Sequence, residues 1–158
     1  MSSVVYSINV SLGGVPKLPV PEAHITELGL DGDSQRNRRY HGGPMRAVCL
    51  YSFDRIEALN HEGHPIGPGT TGDNITVKGL DWADVVPGTM LRVGEAELEI
   101  MSYVRPCKTI RSSFAGEDIW RISQVHHPGW SRVYARVQRD GLVRLGDPVE
   151  AAVSLNRE

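Results

Sequence analysis

Glycine and proline recur at short intervals along the whole chain, 17 and 10 of them in 158 residues, and each interrupts regular backbone hydrogen bonding. Regular structure is therefore confined to many short elements. Period-two alternation is clearest at Leu91 and Val93 and again at Ala96, Leu98 and Ile100, with Gly94-Glu95 between them as a tight hairpin turn. A second run sets Val133, Ala135 and Val137 on one face and Arg132, Tyr134 and Arg136 on the other, the pattern of a half-buried strand whose polar face meets solvent or a site. Val4 to Val10, Glu22 to Glu27, Ala47 to Tyr51, Asn74 to Val77 and Leu142 to Arg144 read as further strands.

Two helices are expected among them. Ser52 suits the N-cap of a helix over 53–62, where Ile56 and Leu59 share a face, and 117–125 carries Ile119, Ile122 and Val125 between Gly116 and His127-Pro128. The expected fold is mainly β: a closed or partly closed β-barrel of short, mostly antiparallel strands with a few short helices. No repeat or linker divides the sequence, and a chain of 158 residues suits a single domain over 1–158 that buries roughly 70 % of its unfolded surface.

Composition removes several function classes. With 40 % hydrophobic residues, 23 % charged residues and a net charge of -2, the chain lacks both the basic excess of a nucleic-acid binder and the bias of a disordered segment. Apolar runs such as Ala47 to Tyr51 reach about five residues against the roughly 20 that span a bilayer, so no membrane partner is expected. The first twenty residues carry no secretory pattern, which makes the cytoplasm the expected address. Cys49 and Cys107 are too few for a disulfide framework and lack CxxC spacing, so each is read alone. Cys49 lies inside the apolar run Ala47-Val48-Cys49-Leu50 and reads as a core residue.

Three groups of residues are able to carry chemistry. Arg36, Arg38, Arg39 and Arg46 fall after Ser34 with no acid among them, around His41-Gly42-Gly43. Arginine forks suit phosphate and paired glycines admit a ligand close to the backbone. An anionic small ligand is the functional reading, and a solvated basic loop is the plainer one. Next, Arg105-Pro106-Cys107-Lys108 follows a strand ending near Val104, and proline both ends the strand and sets Cys107 at its edge. Flanking cations favour the thiolate, the form that attacks electrophiles or binds soft metals. The alternative is an inert small hydrophobe. Lastly, Gly72-Asp73-Asn74-Ile75 opens a strand with a turn that presents backbone and amide donors. His126-His127 precedes a proline, and adjacent histidines do not face one another as zinc ligands do.

Taken in order, Gly29-Leu30-Asp31-Gly32-Asp33, His41-Gly42-Gly43, Tyr51, Gly72-Asp73-Asn74, Gly88, Gly94, Arg105-Pro106-Cys107, Tyr134-Ala135-Arg136-Val137, Gly141 and Gly146-Asp147 resemble the MOSC domain family, over about 29–147. The module is named after the C-terminal part of molybdenum cofactor sulfurase. The resemblance implies a β-barrel-like fold, binding of a molybdenum cofactor (molybdopterin), and a cysteine at Cys107 that ligates molybdenum or handles sulfur. It makes Arg36, Arg38, Arg39, His41, Gly42, Gly43, Asp73, Asn74, Arg105, Lys108 and Arg136 the candidates for holding the cofactor. The chain departs from the family pattern at Asp73, commonly Glu, and in a longer step over 129–134.

The leading expectation is the molybdenum-bearing component of a reductase that acts on N-hydroxylated or similarly oxidised small substrates. A sulfur carrier holding a persulfide on Cys107 is the alternative, and a non-catalytic anion-binding barrel is the third reading. Neither a pyridoxal-phosphate sulfurase domain nor an iron–sulfur module is visible in the sequence. A separate electron-transfer reductase or a cysteine desulfurase is thus the expected partner.

Overall fold

The computed structural model describes residues 3–34 and 43–152. Its strands are β1 (Val4–Val10), β2 (Leu18–Val20), β3 (Glu22–Thr26), β4 (Gly29–Leu30), β5 (Val48–Ser52) and β6 (Ile75–Lys78). They continue with β7 (Met90–Val93), β8 (Ala96–Tyr103), β9 (Val133–Arg139), β10 (Gly141–Arg144) and β11 (Val149–Ala152), and one α-helix, α1 (Phe53–His61), follows β5. Eight strands form one sheet in the order β11-β7-β8-β9-β5-β6-β1-β2, and β10-β3-β4 form a second.

Local chemistry accounts for these elements. The β7–β8 hairpin pairs Val93 with Ala96 across Gly94-Glu95, and Gly94 has φ 56° at the position a type II′ turn reserves for glycine. Along β8, Ala96, Leu98 and Ile100 are buried while Glu97 and Glu99 are half-buried, the alternation that fixes register. Full burial of Leu98 or Ile100 contributes about 1.5–3 kcal/mol each. Every residue of β5 is buried, because the strand lies inside the sheet, antiparallel to β9 and parallel to β6. A parallel neighbour requires a crossover, and α1 lies within it. Ser52 Oγ accepts from Arg55 N at 3.1 Å to start α1, whose Ile56 and Leu59 turn into the core.

Two expectations are corrected. The sheet coils, helped by bulges between β8 and β9, but it is not closed into a barrel. Val4 reaches Pro148 in an isolated bridge while β1 and β11 share no ladder. At that junction the incoming residue is a proline, which has no N–H to extend pairing, and the far end of β1 is already taken by β2. In place of the expected helix over 117–125 lie two short 3₁₀ turns, Ala115–Glu117 and Ile119–Ile122, which follow a longer one over Lys108–Ser113. Apolar residues spaced by three match the three-residue 3₁₀ repeat, and Gly116 and Glu117, at φ 66° and 57°, break the run. Val125 is exposed, so the stripe ends at Ile122. No helix among the described residues is long and apolar enough to cross a membrane.

Candidate functional site

A cavity of about 510 Å³ lies between the loop that follows β1, the turn over 69–74 and the segments that leave β8 and enter β9. Its buried side is built around the Gly72-Asp73-Asn74 turn. Asn74 Oδ1 accepts from Cys49 N at 3.0 Å, and its Nδ2 donates to Asn9 O at 3.2 Å and to Asp33 Oδ2 at 3.0 Å. One amide thus ties three other segments together. Asp73, fully buried behind the lining, accepts from Gly69 N, Thr71 Oγ1 and Thr76 Oγ1. Burial nevertheless pushes its carboxyl above the ordinary range. Gly69, at φ 78°, permits this turn, since a Cβ there would strike the Lys17 carbonyl.

Lys17 and Asp33 form a buried ion pair at 2.7 Å, and Asp33 Oδ1 also accepts from Ser11 N at 2.9 Å. These added bonds meet the requirement that buried charges be paired and hydrogen-bonded. Lys17 also lines the cavity.

Arg132 enters the cavity from the segment before β9, and that segment is pinned from several sides. Tyr51 Oη donates to Trp130 O at 2.6 Å and Trp82 Nε1 to Ser131 O at 2.7 Å. The Trp130 ring lies between the guanidiniums of Arg55 and Arg121, at 4.4 and 4.1 Å. Val104 N donates to Arg132 O at 3.0 Å, which joins the segment to the strand leading to Cys107. Arg132 is 5 % exposed; its Nη1 donates to Thr71 O, and its buried Nε has no partner among the described residues.

Cys107 occupies the rim. Pro106 beside it is buried, Arg105 is exposed, and the half-buried thiol of Cys107 lies 2.8 Å from Thr109 Oγ1. Cys49 lines the same cavity from β5, but burial pushes its thiol up to about 12. Soft sulfur on the rim, cations on the walls and no Asp or Glu among the described lining residues are chemically suited to an anion beside a thiol.

A model of the MOSC domain matches residues 37–150. The chain belongs to the MOSC domain family. It is 28 % identical over 139 residues to the uncharacterized protein YflK of Bacillus subtilis (strain 168), covering 87 % of this chain and 62 % of that protein. It is 31 % identical over 107 residues to protein YiiM of Escherichia coli (strain K12), covering 65 % of this chain and 48 % of that one. The chain thus spans from about half to about three fifths of the length of these curated relatives. A crystal structure of a hypothetical protein superposes on 98 % of this chain with TM-score 0.75 and 27 % identity, covering 70 % of that chain. The YUAD protein from Bacillus subtilis shares the fold at 17 % identity, with TM-score 0.74 and 98 % of each chain covered.

Within this MOSC domain the sequence candidates separate. Asn74, Arg105 and Cys107, 33 residues apart at their extremes, meet on the cavity lining. Asp73 braces the turn from behind it. Lys108 and Arg136 are exposed and are not among the lining residues. Arg36, Arg38, Arg39, His41 and Gly42 lie outside the described residues. Of the described ends of their loop, Ser34 lines the cavity, and past Gly43 (φ 89°) the Arg46 guanidinium sits 5.6 Å from the ring of Tyr134, a lining residue. His126 Nδ1 lies 2.9 Å from Ser123 Oγ, and no cluster of three or more metal-ligating side chains occurs among the described residues. Lys17, Thr71, Arg132 and Tyr134 are among the lining residues that sequence reasoning did not select. For Arg132 and Tyr134 a signal existed, the polar face of the run around Val133, but alternation alone does not say which residue of that face meets a cavity.

Proposed function

We propose that this MOSC domain holds a molybdenum cofactor in its cavity and is the molybdenum-bearing component of a reductase for N-hydroxylated or similarly oxidised small substrates. The observation that carries this reading is Cys107, a half-buried thiol on the rim of a cavity of about 510 Å³ lined by Lys17, Arg105 and Arg132. The donor set fits the group: a soft sulfur suits molybdenum, and guanidinium and backbone donors suit a pterin phosphate. The volume falls in the range of cavities that enclose small ligands. Cys107 would hold the metal. Asn74, Gly72 and Arg105, with Arg36, Arg38, Arg39, His41, Gly42 and Gly43, would hold the pterin and its phosphate.

The cofactor supplies two-electron chemistry when bound, and the protein supplies binding and orientation. Pro106 fixes the backbone beside Cys107, and the Asn74 network keeps the opposite wall rigid. Converting N–OH to N–H consumes two electrons and two protons and releases water. The electrons come from a separate electron-transfer reductase. Metal and pterin analysis of protein purified from a host that makes the cofactor tests the reading. Near-stoichiometric molybdenum and pterin are expected in the wild type and neither in Cys107→Ser, while a wild type free of both overturns it.

A sulfur carrier is the second reading, favoured by the partial exposure of that thiol beside the Thr109 hydroxyl. The Cys107 thiolate would take one sulfur atom from a desulfurase persulfide, leaving the donor as thiolate and itself as persulfide. Molybdenum-free protein that releases sulfide on reduction, and loses this in Cys107→Ser, selects this reading.

A further inference from the structure

We propose that Arg132 forms a subsite inside this cavity for the carboxylate of a small monoanionic substrate, so that the molecule presented to Cys107 is an acid. The inference deepens the proposed function and rests on it only for the chemistry at Cys107; the subsite itself stands on burial and charge.

Arg132 is a buried, permanently charged group with no acid in ion-pair contact among the described residues. Its one hydrogen bond among the described residues is Nη1 to the Thr71 carbonyl, Nε is buried and unpartnered, and no ion pair within 4.0 Å involves it. Neighbouring acids are already engaged. Asp73 accepts from Gly69, Thr71 and Thr76, and Asp33 is bound by Lys17 and Asn74. Nor does the loop over 35–42 supply a carboxylate, for it contains three arginines, one histidine and no acid. A charge so placed is costly unless an anion meets it, and the ligand that enters the cavity is left to provide one.

The charge balance selects the class of anion. Lys17 is paired with Asp33 and Asp73 is turned to Gly69, Thr71 and Thr76, so the charge of Arg132 has no acid within 4.0 Å among the described residues. A carboxylate cancels it, whereas a phosphate dianion would leave a negative charge in a poorly solvated place. Phosphate is better served at the rim, where Arg105 is exposed. Nη1 is turned to Thr71 and Nε is occluded, so the guanidinium meets an entering carboxylate through its remaining amino group, Nη2. Tyr51 and Trp82 hold the backbone at Trp130 and Ser131, so the guanidinium is oriented before binding.

The test uses metal-free protein and three probes: benzoate, its neutral counterpart benzamide, and inorganic phosphate. Each is titrated against alkylation of Cys107 by iodoacetamide, followed by mass spectrometry. Half-protection by benzoate is expected at a concentration at least about tenfold below that for benzamide, the factor one charge-assisted hydrogen bond carries. In Arg132→Met, which keeps the length and removes the charge, this difference should vanish. Arg132→Lys keeps the charge without the fork and should retain part of it. Equal protection by benzoate and benzamide in the wild type overturns the proposal even if neither variant folds, and so does a benzoate preference that survives in Arg132→Met. Phosphate protecting the wild type better than benzoate overturns the carboxylate assignment. Because no metal takes part, failure here leaves the molybdenum reading intact, and a molybdenum-free protein leaves the subsite intact.

Discussion

Two cysteines line one cavity, and they differ in everything that governs reactivity. Cys49 lies in the middle of β5 between Val48 and Leu50; its N–H donates to Asn74 Oδ1 at 3.0 Å and its carbonyl accepts from Asn74 N at 2.7 Å. Burial there pushes its thiol to about 12. Cys107 follows a proline at the end of β8, is half-buried, and has a hydroxyl 2.8 Å from its sulfur. One belongs to a hydrogen-bonded floor and the other to an open rim. The same side chain is closed to solvent in the first place and open to it in the second, because position in the strand decides which of them water reaches.

The largest effect should come from the rim. Cys107→Ser is expected to abolish bound molybdenum, or sulfur transfer, while the urea midpoint reports a stability change within about 1 kcal/mol. A folded variant that retains full cofactor would erase the distinction between rim and floor. On the floor, Asn74→Ala removes the partners of Cys49 N, Asn9 O and Asp33 Oδ2 together. Denaturant unfolding should show a loss of about 3–5 kcal/mol, and a loss below about 1 kcal/mol would mean that the floor is not one unit.

Cys49→Ser should cost about 1–3 kcal/mol and leave cofactor content per folded molecule unchanged. In the same vein, native protein at pH 8 should take up one alkyl group on Cys107 and a second only after denaturation. With its thiol at about 12, Cys49 is about one part in ten thousand thiolate at that pH. Rapid native labelling of both would put Cys49 on the rim as well.

Asp73 sharpens the floor side through pH. Its folded carboxyl is raised by burial, so the stability gained by protonation is fully present below the ordinary carboxylate range and is lost as pH rises through the raised value. The wild type should therefore gain on Asp73→Asn as pH falls across that window, and thermal unfolding curves that keep a constant gap would break the argument. The smallest change is expected at Lys108, exposed and off the lining. Lys108→Ala should leave metal content unaltered and stability within about 0.5 kcal/mol, and loss of cofactor would bring this side chain back into the site.

Much of the fold was legible because its signals are local. The Leu91–Ile100 hairpin, the run around Val133 and the Ser52 cap depend on neighbours two to four residues away, and all three recur with shifts of a residue or two. Leu18–Val20, Gly29–Leu30 and Val149–Ala152 carried no such signal, since strands of two to four residues are made by their partners. For the site, the motifs at Asn74 and at Arg105 with Cys107 fall on the cavity lining. Asp73 and Lys108 belong to the same stretches but lie off it, as does Arg136 in the run around Val133.

Sequence alone therefore determined which short strands form, that the chain carries a MOSC pattern, and that Cys49 lies in a buried strand while Cys107 follows a strand end, because propensity, alternation and proline act over a few residues. Tertiary structure alone decided that the sheet stays open at Pro148, that Asp73 lies behind the lining, and that Arg132 is buried at the cavity with no acid in ion-pair contact among the described residues. Those outcomes depend on what arrives from far along the chain. Asn74 meets Asn9 across 65 positions and Arg132 meets Thr71 across 61, and the burial and charge balance that follow exist only once those segments are assembled.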